Sequence, residues 1–138
     1  MSYHTLILVG RLGRDPEMRY TSSGQAVTSF SVATDYQYTD ASGQQKKETT
    51  WFAITVWGKQ AESCNNFLQK GRMVLVEGRL KSDVETGGPR IFTKNDGTTG
   101  VKFEVTARTV RFLSSKTEGQ VQAGEEPQEI AGGDDLPF

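Results

Sequence analysis

Strand-type patterns of apolar and polar residues dominate the first 113 residues of this chain, and the two-residue period of a strand that buries one face is clearest over residues 49–57. The segments rich in Val, Thr and Phe support the same assignment. The predicted strands are 5–11, 26–37, 46–57, 72–81 and 101–113. Between the third and fourth strands, apolar residues recur at helical spacing, which predicts a helix over 59–70 with Gly71 as its C-terminal cap. Residues 86–100 hold five glycine or proline residues and predict a long loop or flap.

The order of these elements predicts the fold. Three strands, a helix and two further strands are the connectivity of the OB-fold, a five-stranded Greek-key barrel with one helix between strands three and four. Other small β-barrels share this count of elements. The prediction is an all-β OB-fold domain over residues 1–113.

The chain changes character after this domain. Residues 114–133 are rich in Gln, Glu, Gly and Ala, and cannot bury enough apolar surface to offset the entropy of ordering them. They predict a disordered linker that leads to an acidic tip at 134–138. Residues 114–138 carry a net charge of −5 and residues 1–113 carry +4, although the whole chain carries only −1. A basic body indicates a polyanionic partner, and a solvated tail without a partner is the alternative.

Several function classes find no support in the composition. The chain has one cysteine and one histidine, so we expect no metal site and no disulfide within the chain. No candidate nucleophile is accompanied by a histidine base, so we expect neither an enzyme nor a cofactor. No run of about 18 apolar residues occurs, and the N-terminus lacks the features of a signal peptide. We therefore expect a cytoplasmic protein that does not bind membranes.

The third predicted strand carries the most informative pattern. Phe52, Ile54 and Val56 alternate with Trp51 and Trp57, so an apolar face for the barrel interior is backed by a face that holds two tryptophans. Exposed aromatic rings among cations are typical of proteins that bind single strands by stacking. Burial of the rings under a loop or at a subunit interface is the alternative. The candidate cations are Arg11, Arg14, Arg19, Lys46, Lys47, Lys59, Lys70, Arg72, Arg79 and Lys81.

Five segments of the body and the C-terminal tip form an ordered set of motifs. The body segments are Leu8–Tyr20, Glu48–Phe52, Val56–Glu62, Leu68–Gly71 and Val76–Leu80. Together with Asp134–Phe138 they resemble the bacterial single-stranded DNA-binding proteins of the replication machinery. The resemblance covers almost the whole chain. It implies a nucleoid-associated homotetramer of OB-folds that binds single-stranded DNA in replication, recombination and repair.

The resemblance also implies which aromatic side chains stack on bases. The positions that match are Tyr38, Trp51 and Trp57, which we expect to form one row on the binding face. The family's remaining stacking aromatic falls near Val84 or Glu85, and neither residue is aromatic. Phe92, in the long loop, is the candidate for a replacement ring.

The C-terminal tip resembles the peptide with which this family docks into basic-rimmed apolar pockets of replication and repair enzymes. Asp134 and Asp135 would contact the basic rim. Leu136 and Pro137 would fill the pocket and stiffen the peptide, and Phe138 would supply a ring and the terminal carboxylate. Two other functions stay open: a primosome-type OB scaffold, against which the tip argues, and an RNA-binding OB module, which uses the same stacking physics.

Overall fold

The computed structural model of the chain describes residues 1–114. Seven strands and one helix lie in this part of the chain. They are β1 (Leu6–Leu12), β2 (Glu17–Tyr20), β3 (Ala26–Thr39), β4 (Gln45–Trp57), α1 (Lys59–Phe67), β5 (Met73–Lys81), β6 (Arg90–Thr93) and β7 (Thr99–Ser114). The five strands predicted from the sequence correspond to β1, β3, β4, β5 and β7.

These five strands close into a barrel. The strand order is β1-β5-β7-β4-β3, and β1 also pairs with β3, which joins the two edges. The β4–β7 pair is parallel, from Phe52 opposite Phe103 to Thr55 opposite Thr106, and the other pairs are antiparallel. With its helix between β4 and β5, this closed five-stranded barrel confirms the predicted all-β OB-fold.

The interior of the barrel is filled by the inward-facing aliphatic side chains of the strands. The fully buried ones include Val32, Ile54, Val56, Val74, Val76 and Val105. Helix α1 packs on this core through Ala61 and Cys64, both fully buried. The buried Thr28 hydroxyl donates a hydrogen bond to the Ala61 carbonyl at 2.6 Å, so this polar side chain fastens the helix to β3.

The helix is shorter than the predicted segment 59–70, and Gly71 is not its cap. It ends at Phe67, because Leu68 takes an extended backbone that buries its side chain in the core. The Leu68 N–H donates to the Cys64 carbonyl at 3.0 Å and closes the last turn. Gly71 instead occupies the turn that leads into β5, where its φ of 89° suits a residue without a Cβ.

Most of the predicted loop at 86–100 is a β-hairpin. Arg90 to Thr93 pair with Lys102 to Thr99, and Gly97, with φ of 89°, completes the turn between them. Within the hairpin, Gly97 lies in the turn and Gly100 lies where a Cβ atom would meet the Phe92 ring, whereas Gly87 and Gly88 lie in the loop that precedes β6. Strand β2 was also absent from the sequence prediction, since four residues are too few to show a period on their own.

A bulge in β7 is stabilised by the helix. The β5–β7 register shifts between Glu77 and Gly78, which leaves Arg108 without a partner in the ladder. The Gln60 amide donates to the Arg108 carbonyl at 3.1 Å and accepts from the Val110 N–H at 2.7 Å. One side chain of α1 thus satisfies two backbone groups that the bulge frees.

Candidate nucleic-acid interface

The outer surface of the β3–β4 ladder carries a strip of small side chains between two tryptophans. Ala33 pairs with Trp51 and Val27 pairs with Trp57. Of the five register pairs between these two, Ser29 with Thr55 and Ser31 with Ala53 belong to the face of the tryptophans. We call these four residues the floor. The floor consists of Ser29, Ser31, Ala53 and Thr55. Such short side chains leave room for a polymer to lie against the strands between the two rings.

Both tryptophan rings are accessible on this surface. Trp51 is 52% exposed and Trp57 is 41% exposed, whereas Ile54 and Val56 on the other face are buried. The predicted alternation of β4 is therefore confirmed. Phe52 is half-buried and packs against the core, as its place on the inward face requires.

Gly13 determines where the Trp51 ring can lie. A Cβ atom at Gly13 would come within 2.6 Å of the ring atom Cζ3, which is closer than real carbon contacts allow. The Gly13 N–H donates to the Ser31 carbonyl at 3.1 Å and so fixes the glycine beside the floor. The missing side chain is what lets the ring lie against the end of β1.

Cations border the floor on both sides. Arg14, from the turn after β1, and Lys102, from β7, line one groove together with all four floor residues. Arg19 of β2 pairs with Val27 of β3, and Val27 in turn pairs with Trp57 of β4. Two acidic residues also line this groove, Glu17 and Glu104.

The negative charge of Glu104 is neutralised by Arg90. Arg90 Nη1 lies 2.9 Å from Glu104 Oε1, and the pair is partly buried. The registers of β4, β7 and β5 place Ala53, Glu104 and Lys81 in one cross-strand line. Thr55, Thr106 and Arg79 form the next line in the same way, so both basic residues of β5 lie at the far edge of this surface.

Phe92 lies on the same side of the sheet as Trp51. The parallel register that pairs Phe52 with Phe103 places Trp51 and Lys102 together on the outer face, and the β6–β7 hairpin extends this face to Phe92. The Lys102 ammonium lies 5.3 Å from the centre of the Phe92 ring, and the ring remains 38% exposed.

Phe92 thus presents a ring on the face that carries Trp51, whereas the positions that match the family's remaining aromatic present none. Val84 and Glu85 lie in the loop between β5 and β6, and the Val84 side chain is 98% exposed.

Tyr38 does not continue the row of the two tryptophans. The β3–β4 register runs without a bulge and pairs Tyr38 with Lys46, so strict alternation places Tyr38 on the opposite face of the ladder from Trp51. Its ring stacks on Tyr36, with the centroids 5.7 Å apart and the planes at 23°. The register therefore does not place the three rings in one row on one face, and the stacking role of Tyr38 stays a prediction.

The remaining candidate cations differ in how free their side chains are. Arg11 donates to the Gly71 carbonyl at 3.0 Å, and Arg72 is half-buried and donates to the Phe67 carbonyl at the end of α1 at 2.9 Å. Lys46 lies 3.9 Å from the Asp40 carboxylate. Three further lysines have exposed side chains. They are Lys47, Lys59 and Lys70.

Four residues on the β3–β4 hairpin and along the β6–β7 edge of this surface were not singled out from the sequence. They are Tyr36, Arg90, Lys102 and Phe103. Tyr36 shares its strand face with Tyr38 two residues on, so simple alternation would have found it. The other three join the surface only through the pairing of β7 with β4 and β6, which no local pattern reveals.

The predicted linker and tip lie outside the described residues. The roles of Asp134, Asp135, Leu136, Pro137 and Phe138 therefore stay predictions. Within residues 1–114, no group of three or more His, Cys, Asp or Glu side chains is placed to hold a metal ion. No helix in that same range has the length and apolar character to cross a membrane.

Comparison with known proteins gives a consistent family. The Single-strand binding protein family matches residues 3–113. The single-stranded DNA-binding protein of Neisseria meningitidis serogroup A is 39% identical over 118 residues, which are 86% of this chain and 64% of the relative. That of Thermotoga maritima is 38% identical over 128 residues, which are 93% of this chain and 86% of the relative. This chain therefore spans less than two thirds of the Neisseria relative.

Solved structures resemble the barrel as well. The Plasmodium falciparum SSB in complex with single-stranded DNA superposes with a TM-score of 0.66 at 25% identity, over 83% of this chain and 97% of that one. The wild-type single-stranded DNA-binding protein of Thermus aquaticus gives a TM-score of 0.61 at 29% identity, over 82% of this chain and 51% of that one.

Proposed function

This chain belongs to the single-strand binding protein family, and from that premise we propose that it binds single-stranded DNA with little dependence on base sequence. The observation that carries the proposal is the outer face of β4, where two exposed tryptophans stand at the ends of a floor of small residues. Cations border this floor on both sides. No catalytic step is part of the proposal.

The physical basis is stacking combined with phosphate neutralisation. Every base has a π-face, so each ring contributes roughly 1–3 kcal/mol without reading the sequence. Trp51, Trp57 and Phe92 supply rings on one face of the sheet, and the stacked Tyr36 and Tyr38 supply rings on the β3–β4 hairpin. The cations follow the phosphates and release counterions, which makes the affinity steeply dependent on salt.

Intrinsic tryptophan fluorescence tests the proposal directly. The full chain is titrated with oligo-dT, oligo-U and duplex DNA at two salt concentrations. We expect strong quenching by oligo-dT, little response to duplex, and a steep loss of affinity at the higher salt. Absence of quenching at low salt would contradict the proposal. Tighter binding of oligo-U than of oligo-dT would favour the RNA-binding module.

Single substitutions assign the rings. Trp51→Ala, Trp57→Ala and Phe92→Ala should each weaken oligo-dT binding by about tenfold, the equivalent of one lost stacking contact. Phe67→Ala is the matched control, since Phe67 is 58% exposed but packs near Phe112 at the end of the helix. If Phe92→Ala changes neither affinity nor the length of DNA covered, Phe92 does not stack on a base.

We further propose that the tip recruits replication and repair enzymes while the barrel holds DNA. An acidic peptide that ends in Leu136, Pro137 and Phe138 suits small apolar pockets with basic rims. Deletion of residues 134–138 should spare DNA binding and abolish the pull-down of partner enzymes. Recruitment by the truncated chain would contradict this role, whereas a primosome-type scaffold would retain its partners and show no quenching.

The proposal includes a homo-oligomer, a tetramer, in the cytoplasm on nucleoid DNA. The outer face of β1 supports it, because Ile7 is 61% exposed and Val9 is 46% exposed. Val9 pairs with the half-buried Leu75 of β5, so the apolar surface continues on the neighbouring strand. Contiguous exposed apolar residues of this kind are typical of protein–protein interfaces.

A further inference from the structure

A cavity opens at the end of the barrel, under the loop that joins β5 and β6. Its volume is about 170 Å³. Its walls are mainly apolar or glycine, with three polar residues, of which Glu104 is paired with Arg90. The residues around it are Leu80, Lys81, Ser82, Gly87, Gly88, Pro89, Phe103 and Glu104. Leu80 pairs with the buried Val105, and Phe103 packs 6.0 Å from Phe52, so both continue the inward faces of their strands past the core. The cavity is thus an apolar extension of the barrel interior that reaches the surface.

The loop over the cavity is held by its own hydrogen bonds. The Asp83 carboxylate accepts from the N–H groups of Glu85 and Thr86 at 3.2 and 3.3 Å. The Asp83 N–H donates to the Gly88 carbonyl, and the Gly87 N–H donates to the Asp83 carbonyl, both at 2.9 Å. Because the loop closes on itself, the wall that it presents is formed before any ligand arrives.

The cavity is continuous with the proposed DNA surface. Pro89 and Phe103 line both the cavity and the groove beside Trp51, and Lys102 borders that groove. Lys81 stands at the edge of the cavity itself. A polymer that leaves the Trp51 ring in this direction meets an apolar opening with a cation on either side.

We propose that this end cavity receives one nucleobase of the bound strand, turned out from its neighbours. The inference rests on the proposed binding of single-stranded DNA. The base contacts Leu80, Pro89 and Phe103, and the adjoining phosphates lie near Lys81 and Lys102. The strand therefore leaves the floor through the cavity instead of running straight off the sheet.

Size and chemistry favour a base over other occupants. The cavity volume of about 170 Å³ is sufficient for one small planar ring. Gly87 and Gly88 present bare backbone, so no side chain of the loop fills the space. Flat apolar walls and cations at the mouth suit a ring attached to a phosphate chain.

Photochemical crosslinking locates the base. The full chain is bound to oligo-dT in which one thymidine is replaced by 5-iodo-2′-deoxyuridine, irradiated, digested and sequenced by mass spectrometry. We expect adducts at Phe103 or Leu80 in addition to those at Trp51 and Trp57. Adducts at the tryptophans with none at the cavity would overturn this inference and leave the proposed function intact. Failure of the oligonucleotide to bind would overturn the proposed function itself.

Variants supply an independent readout. Phe103→Ala should weaken oligo-dT binding about tenfold and remove the cavity adducts, and Val84→Ala, in the same loop but 98% exposed, should change neither. Pro89→Ala gives a second test that leaves the contact of Phe52 with Phe103 in place. Unchanged affinity in both variants overturns the inference. The inference is also overturned if cavity adducts form only after residues 134–138 are deleted and the affinity for oligo-dT does not increase. In that case the tip, and not a base, occupies the cavity in the full chain.

Discussion

At Gly13 the absence of a side chain sets the position of the Trp51 ring, one of the rings that we propose to stack on bases. The glycine backbone is held by the Ser31 carbonyl, and the Trp51 ring occupies the volume that a Cβ atom would fill. Trp51 is half exposed, so one side of its ring is open to a ligand. A ring held before binding loses less entropy when a base stacks on it.

Gly13→Ala is therefore expected to displace the Trp51 ring and to weaken oligo-dT binding by about threefold to tenfold, a part of one stacking contact. The melting temperature should change little, because the ring can swing into solvent. The shift of tryptophan emission and the dissociation constant are measured together. Ser22→Ala, exposed in the turn between β2 and β3, is the control. Altered emission with unaltered affinity would show that the ring position does not matter, and unaltered emission would show that Gly13 does not set it.

Cys64 gives the barrel a predictable response to alkaline pH. Burial raises the pKa of the Cys64 thiol from 9.0 to about 12. Between these values the unfolded chain releases the thiol proton and the folded chain keeps it. The protonated thiol therefore contributes fully to the free energy of unfolding below about pH 9. That contribution is lost as the pH rises toward 12.

Urea unfolding at about pH 8 and about pH 10 measures this effect, and Cys64→Ala removes it. The native chain should lose about 1 kcal/mol more between the two pH values than the variant does. Equal losses would mean that the folded thiol ionises as easily as the unfolded one. The same burial should protect the thiol from disulfide reagents until the chain unfolds.

Among the elements, the strands were predictable and their partners were not. Alternation in β4 placed Ile54 and Val56 inside and both tryptophans outside, since that period is a local property of the sequence. The β3–β4 register, which separates Tyr38 from the tryptophan face, depends on which residues pair across the hairpin. Strand β6 was not predicted, because the glycines around the turn of its hairpin have the composition of a loop.

Gln60 connects α1 to β7, and the loss of its two hydrogen bonds should lower the free energy of unfolding. Gln60→Ala leaves the Arg108 carbonyl and the Val110 N–H of the bulge without their partners, which should lower the free energy of unfolding by about 1–3 kcal/mol. Urea denaturation gives this value. Gln69→Ala, exposed in the turn after α1, should change it by less than about 0.5 kcal/mol. Equal stability of the two variants would show that water replaces the amide without cost.

In the whole molecule, the proposed binding surface and the apolar surface of β1 are separate. The floor lies on β3 and β4, and the exposed Ile7 and Val9 lie on β1, which is joined to β5. Copies of the chain that associate through β1 would thus leave each floor open. This arrangement allows one strand of DNA to pass over several subunits.

Val9→Lys should break this association, since a buried ammonium at the contact costs more than the apolar contact contributes. Light scattering after size-exclusion chromatography should show a lower mass than for the native chain. Val84→Lys, on the loop between β5 and β6, should keep the native mass. A native mass for Val9→Lys would place the subunit contact elsewhere.

The parallel contact of β4 with β7 also has a consequence for the synthesis of the chain. Phe52 meets Phe103 only after the helix, β5 and the whole hairpin have been made, so barrel closure carries a large loop-closure entropy and comes late. Until β7 has left the ribosome, the free edges of β4 and β5 are open to pairing with other nascent chains. Chains that end before β7 would therefore expose both edges, and we expect them to aggregate more readily than the full chain.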